Sequence, residues 1–119
     1  MVDYKKLQIW ERSHAIVLEI YKLSKEFPKE ELYGLTSQLR RSSVSISSNI
    51  AEGCGRNSDA ELARFLVIAM GSAAEAEYQL LLAKDLGYMD DVIYKKLDDE
   101  LNQIRKMLNA FIKKVNIRK

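Results

Sequence analysis

The sequence predicts an all-α fold, an up-down-up-down bundle of four helices, and three observations carry that prediction. Apolar residues recur at alternating three- and four-residue intervals through most of the chain. A single proline and five glycines leave long uninterrupted segments. Breaks at Pro28, at Gly53 to Gly55 and at Gly87 separate the helical segments by short connections, which favour antiparallel neighbours. At 119 residues the chain is expected to form one domain over residues 1–119, large enough for a core yet near the size at which self-association adds useful burial. A hydrophobic content of 47% against 30% charged excludes a disordered chain.

The first helix is expected from about Leu7 to about Lys25. Ile9, Ser13, Ile16, Ile20, Leu23 and Phe27 form one stripe, and Trp10, Val17 and Tyr21 form a second beside it. That face is wider than a single core contact needs, so the surplus is either buried twice within the bundle or covered by another copy of the chain. Pro28 ends the helix, and Lys29 to Glu31 is a polar connector.

The second helix starts near Leu32 or Leu35 and runs to Gly53. Its seam, Leu32, Leu35, Leu39, Ser42, Ile46, Asn49 and Gly53, turns from large apolar to small and polar. Serine is a poor helix-interior residue because its hydroxyl competes for the backbone, yet six serines lie between Ser37 and Ser48. Close approach of a neighbouring helix is the leading explanation; contact with phosphate or a catalytic hydroxyl is the other. A glycine in the Gly53-Cys54-Gly55 turn can take the left-handed conformation that closes a helix.

The third helix opens on a capping box, in which Ser58 accepts from the backbone three residues on and Glu61 reaches back. Asp59 and Glu61 occupy the helix end that a phosphate would want, and the glycines before it lack the lysine and hydroxyl of a P-loop. Leu62, Leu66, Ala69, Ala73, Ala76, Leu80 and Ala83 make the core seam. Beside it run Phe65, Ile68, Ser72, Glu75, Gln79, Leu82 and Leu86, with polar members in the middle. Glu75, if buried, needs a donor from Arg40, Arg41 or Asn49, and an internal ion pair that fixes register is favoured over a catalytic acid. Gly87 stops this helix and Asp90-Asp91 starts the fourth, where Tyr94, Leu97, Leu101, Ile104, Leu108, Phe111 and Val115 keep the seam without a miss. Acids gather early in it, at Asp98, Asp99 and Glu100, and bases late, at Lys113, Lys114, Arg118 and Lys119, as the helix dipole prefers.

The chemistry that this sequence supports is limited. One cysteine, Cys54, excludes an internal disulfide and a multi-thiolate metal site, and fits a cytoplasmic protein. No signal peptide is expected and no stretch approaches the roughly 18 apolar residues of a membrane span. Glu11 and His14 form one E-x-x-H, but a carboxylate-bridged metal bundle needs that pattern from two helices, and the chain has a single histidine. Cys54 beside Arg56 is weak support for an activated thiol. The expectation is a non-enzyme with no catalytic residues, no cofactor and no metal.

A net charge of +2 gives no strong global field, so any anionic partner must be held where bases cluster. The candidates for nucleic-acid binding are Arg40, Arg41, Arg56 and Arg64. Adjacent helical residues stand about 100° apart, so at least one of Arg40 and Arg41 should reach an edge. Repeated around a symmetry axis, such arginines would make a basic belt for phosphate backbones; alternatively they pair with Glu52, Glu61 or Glu75.

Gln38 to Arg56, QLRRSSVSISSNIAEGCGR, together with Phe27-Pro28, Tyr33-Gly34-Leu35 and the later RFLVIAMGSAAEAEYQLLLAKDLGY, resembles the four-helix bundle proteins encoded by intervening sequences of bacterial 23S ribosomal RNA genes. The match spans nearly the whole chain, and NIAEG followed by Arg56, combined with the GS-x-x-E of Gly71 to Glu75, makes it specific. The resemblance implies a left-handed bundle that assembles as a ring-shaped homopentamer. It also brings in the similar accessory proteins of diversity-generating retroelements, which bind nucleic acid and a reverse transcriptase, and so implies an RNA or DNA partner and, by analogy, a protein partner of that kind. Arg40, Arg41, Asn49, Glu52, Arg56, Ser72 and Glu75 occupy the family's polar motif positions, with Asn49, Glu52, Ser72 and Glu75 expected to form a structural polar network. Where relatives read R-R-A and S-I-P this chain has Ser42 and Ser47, which puts a proline kink in the second helix in doubt. The reading that follows is a non-enzymatic homo-oligomer that binds nucleic acid; the alternative is a protein-binding scaffold.

Overall fold

A computed structural model describes residues 2–118. Four helices make up the chain, α1 (Gln8–Ser24), α2 (Leu35–Cys54), α3 (Asp59–Asp85) and α4 (Asp91–Arg118), with short 3-10 turns at Tyr4–Lys6 and Lys29–Glu31. No strand occurs among the described residues. Lys119, counted with the basic end of the fourth helix, lies outside them.

The helix ends show what the seam pattern leaves open. α1 stops at Ser24, four residues before Pro28, because the chain turns early to seat Phe27 in the core, with its N–H on the Ser24 carbonyl. The connector is not merely polar: Pro28 starts the second 3-10 turn, and Glu31 accepts from the N–H of Leu35 at 3.2 Å and from the Tyr88 hydroxyl at 2.8 Å. It thereby caps α2 and ties it to the α3–α4 connection. At the other end of α2, Gly53 and Cys54 are still helical and Gly55 closes the helix with φ −86°, so no left-handed glycine is used there. Among the described residues, Gly87 alone has a positive φ, at +83°. The N–H groups of Gly87 and Tyr88 reach the carbonyls of Lys84 and Ala83, both at 2.9 Å, the double bond of a Schellman close. The capping box is half formed: Ser58 accepts from Glu61 N–H at 3.1 Å, but the Glu61 carboxylate turns away to Arg64.

Consecutive helices run antiparallel. Val2, before α1, bonds the last carbonyl of α2, while Arg40 at the start of α2 reaches Ser24 at the end of α1. Asp59 opens α3 and holds Arg118 at the end of α4. Packing follows chain order, with α4 returning to α1; it is most extensive between α2 and α3 and thinnest between α1 and α4. Ile20, Leu39, Ile46, Leu66, Ala69, Ala73, Ala76, Leu80, Leu101, Ile104 and Leu108 are fully enclosed. The small residues of α3 let α2 come close. A Cβ placed on Gly53 would stand 3.0 Å from Phe65 Cβ, so hydrogen is all that position admits. α2 is unbroken from Leu35 to Cys54, with serine at both family positions in question.

Val17, from the second stripe of α1, is buried, but Trp10 packs half-buried between Tyr4 and His14, and Tyr21 is exposed. α3 also corrects the expectation about apolar length: Asp59–Asp85 is long and apolar enough, by length and composition, to cross a membrane. Its alanines hide this in a count of large side chains, and in this fold its inner face is the centre of the core.

Candidate functional site

Of the polar residues singled out from sequence, Arg41, Ser42, Asn49, Ser72 and Glu75 lie along the groove between α2 and α3 while Arg40 faces α1, and the buried serines explain themselves first. Ser13 and Ser47 return their hydroxyls to carbonyls of their own helix, Ile9 at 2.8 Å and Val44 at 3.1 Å, which satisfies them without a partner element. Ser43 does the same to Arg40 at 3.0 Å. Ser42 Oγ lies 3.1 Å from the Leu39 carbonyl of its own helix and also crosses the interface, with its shorter contact a donation to Gln79 Oε1 at 2.6 Å where both residues are buried.

Half a turn outward, Asn49 donates to the Ser45 carbonyl at 2.7 Å and to Ser45 Oγ at 2.9 Å. That uses one lone pair of Ser45 Oγ, which also shares a hydrogen bond with Ser72 Oγ, 2.8 Å away across the groove, with either hydroxyl able to donate. Asn49 and Ser72 are thus joined through Ser45. Glu52 and Glu75 are not part of this chain of bonds. Glu52 pairs with Arg56, and the expected internal ion pair at Glu75 is absent: its carboxylate is exposed and makes no hydrogen bond or ion pair among the described residues. Position 79 rather than 75 turns inward, so the buried polar group of α3 is the neutral Gln79, whose Oε1 the Ser42 hydroxyl meets.

The four arginines separate into three environments. Arg40 leans to the α1 side, with Nε donating to Ser24 Oγ at 2.7 Å, Nη2 to the Tyr21 carbonyl at 3.3 Å, and the guanidinium 4.7 Å above the Tyr21 ring. It sits on the carbonyl end of α1, where a cation is favoured. Arg41, about 100° round the helix, is exposed in a cleft of about 420 Å³ lined by Gln38, Ser42, Ser45 and Glu75. Its guanidinium makes no hydrogen bond or ion pair among the described residues. Arg56 and Arg64 converge at the far end, 4.7 and 4.5 Å above the ring of Phe65. Each is already matched, Arg56 to Glu52 at 2.8 Å and Arg64 to Glu61 at 3.0 Å. Hydrogen bonding from Arg64, aided by its charge and that of Arg56, holds the Glu61 carboxyl below the usual range. The groove therefore carries one open cation at one end and two acid-paired cations at the other, while Arg40 lies on the opposite edge of α2.

Three ion pairs that join helices were not legible as pairs in the sequence. Arg12 grips Glu100 at 2.9 and 2.6 Å, Arg105 meets Glu77 at 2.6 Å, and Arg118 meets Asp59 at 3.0 Å. They lie far apart in the chain, and only the helix pairing brings them together. Cys54 is buried, and burial pushes its thiol up, the reverse of the activation that Arg56 might have supplied. His14 is exposed and stacked on Trp10 with ring centroids 5.0 Å apart. No cluster of three or more potential metal ligands occurs among the described residues.

Residues 5–110 match the family model described as 23S rRNA-intervening sequence protein. A solved structure from Bacteroides thetaiotaomicron VPI-5482, described as a protein with unknown function from the S23 ribosomal protein family, is similar at a TM-score of 0.82 with 28% identity. The similarity covers 88% of this chain and 98% of that one. No curated protein matches the sequence. The match runs from the first 3-10 turn into the second half of α4 and takes in the whole α2–α3 groove: this chain belongs to the family of 23S rRNA-intervening sequence proteins.

Proposed function

We propose that this protein is a non-enzymatic, self-associating bundle that binds the phosphate backbone of RNA or DNA along the α2–α3 groove. The observation that carries the reading is Arg41: an exposed guanidinium that makes no ion pair among the described residues, in an open cleft beside the hydroxyl of Ser45 and the amide of Gln38, with the carboxylate of Glu75 also in its lining. Guanidinium, hydroxyl and amide are the groups that hold phosphate oxygens without reading sequence. Self-association repeats that cleft on every copy, which turns a weak single contact into a multivalent one. The family's association with ribosomal RNA genes makes structured RNA the first ligand to test.

The test is a titration of labelled structured RNA and duplex DNA across a salt series, with Arg41→Ala beside the parent protein. Binding that falls steeply with salt supports the reading, together with a log-log slope about one unit shallower in the variant for each phosphate that Arg41 no longer neutralises. Absence of binding at low salt overturns it. Arg40 is left intact in this test because it bonds the end of α1, so its removal would mix a change in packing with a change in binding. A scaffold that binds protein alone is the second reading, favoured by the apolar outer face of α3, and it is what a flat titration would leave.

A further inference from the structure

α1 and α4 share the thinnest packing in the bundle, and on the side of the Arg12–Glu100 pair nearer the chain ends the seam does not close. A cleft of about 420 Å³ runs there between the two helices, walled by Val2, Leu7, Ile9, Met107, Ala110 and Phe111. Leu7, Met107 and Phe111 are only half-buried, and Ala110, too short to bridge the gap, is exposed. Apolar walls around a hollow of this size are what a small-molecule site offers, with a few polar groups to orient what enters.

Here those groups are cations. Lys114 and Arg118 line one end of the cleft, and Arg12 stands at the other, its Nη1 3.8 Å from the sulfur of Met107. Arg118 is already committed to Asp59 and Arg12 to Glu100. Lys114 is exposed and makes no ion pair among the described residues. The lining holds no carboxylate, in contrast to the α2–α3 cleft with Glu75 and to the clefts beside Asp99 and beside Glu19 and Glu26. Shape narrows the choice further. Two turns of a helix with its side chains fill roughly 800 Å³, so a helix could rest on this hollow but not enter it. An alkyl chain does enter. From Met107 to Lys114 the cleft runs about 10 Å along α4, the reach of an extended chain of about eight carbons.

We propose that this cleft binds the free anion of a medium-chain fatty acid, with the alkyl chain between α1 and α4 and the carboxylate on Lys114. The chain covers apolar surface that the fold leaves wet, and the carboxylate meets the cation of the cleft that has no acid of its own. By bridging the thinnest seam, the bound anion ties α1 to α4 and raises the melting temperature. The site lies across the bundle from the α2–α3 groove and is independent of the nucleic-acid reading.

The experiment is equilibrium dialysis of radiolabelled decanoate against the parent protein, which should bind it saturably, one per chain, below about 1 mM. Ala110→Trp fills the cleft from an exposed position and should weaken binding about tenfold or more. Lys114→Gln should weaken decanoate about three- to tenfold and leave decanol, which has no charge, unchanged. Decanoate with a diazirine at its tail, photolysed on the parent protein, should label α1 and α4 beside Met107, a readout that does not depend on either variant folding. Absence of saturable binding overturns the proposal. So does label outside the cleft, undiminished binding by folded Ala110→Trp, or a Lys114→Gln variant that treats decanoate and decanol alike. Protein that floats with phosphatidylglycerol vesicles but takes up no decanoate would show that a membrane surface, not the free acid, is held, and would overturn it too.

Discussion

Arg12 on α1 holds both oxygens of Glu100 on α4, at 2.9 and 2.6 Å, across the thinnest seam of the bundle. Apolar clefts open on either side of this clamp, one lined by Leu7, Ile9, Met107 and Phe111, the other by Leu23, Ile93 and Leu97. The side chains are 33% and 31% exposed, so solvent screens the pair. Glu100→Gln should cost about 1 kcal/mol in urea unfolding, with high salt shrinking the difference. Arg12→Ala should cost more, because its Nη1 also donates to the Met107 sulfur at 3.8 Å.

The Ser42–Gln79 bond is buried, so breaking half of it should be worse than removing all of it. Ser42→Ala leaves the Gln79 carbonyl oxygen without a donor and should cost about 1–3 kcal/mol. Adding Gln79→Leu should recover most of that loss. Denaturant midpoints of the two single variants and the double variant decide the matter.

The same substitution should have opposite signs at two glycines. Gly53→Ala drives a methyl to 3.0 Å from Phe65 Cβ and 3.1 Å from Leu62 Cδ1, and should cost about 1–3 kcal/mol. Gly71→Ala, measured on dilute monomer, meets nothing and should gain about 0.5–1 kcal/mol from helix propensity. Thermal unfolding of both variants side by side provides the check.

Asp98 should make the protein less stable as pH rises through its titration. Burial, with Glu77 and Asp99 nearby, pushes its carboxyl above the ordinary aspartate value. Between that value and the raised one the folded chain binds more protons than the unfolded chain, so stability falls with rising pH in that window and the penalty persists at neutrality. Asp98→Asn should therefore raise the melting temperature at pH 7 and flatten this part of the pH profile. Glu61 acts in the opposite sense: held low by Arg64, it contributes stability above its ordinary value that is lost as the pH drops.

The seams were legible because burial imposes a period. Leu97, Leu101, Ile104, Leu108 and Val115 are buried where their spacing put them, and Tyr94 and Phe111 are half-buried. Helix ends were less legible because caps depend on where neighbouring groups fall: Phe27 stops α1 before Pro28 does, and Gly55 closes α2 without a left-handed turn. The divergence of Arg40 and Arg41 followed from helical rotation alone. That Arg40 would find the end of α1 did not, since it requires knowing which helix stands beside α2.

By itself the sequence determined the helical class, the helix count, most of the inward stripe of each helix, with the expected Leu32 lying exposed ahead of α2, and the family, since each depends on residues close in the chain or on a motif carried whole. The tertiary structure decided which polar groups meet. Whether Glu75 is inside or outside, whether Gln79 finds Ser42, and which acids Arg12, Arg105 and Arg118 reach all turn on the rotation of one helix against another. A rotation of a few tens of degrees exchanges a buried position for an exposed one, and it is fixed by the packing of the whole core rather than by any local sequence.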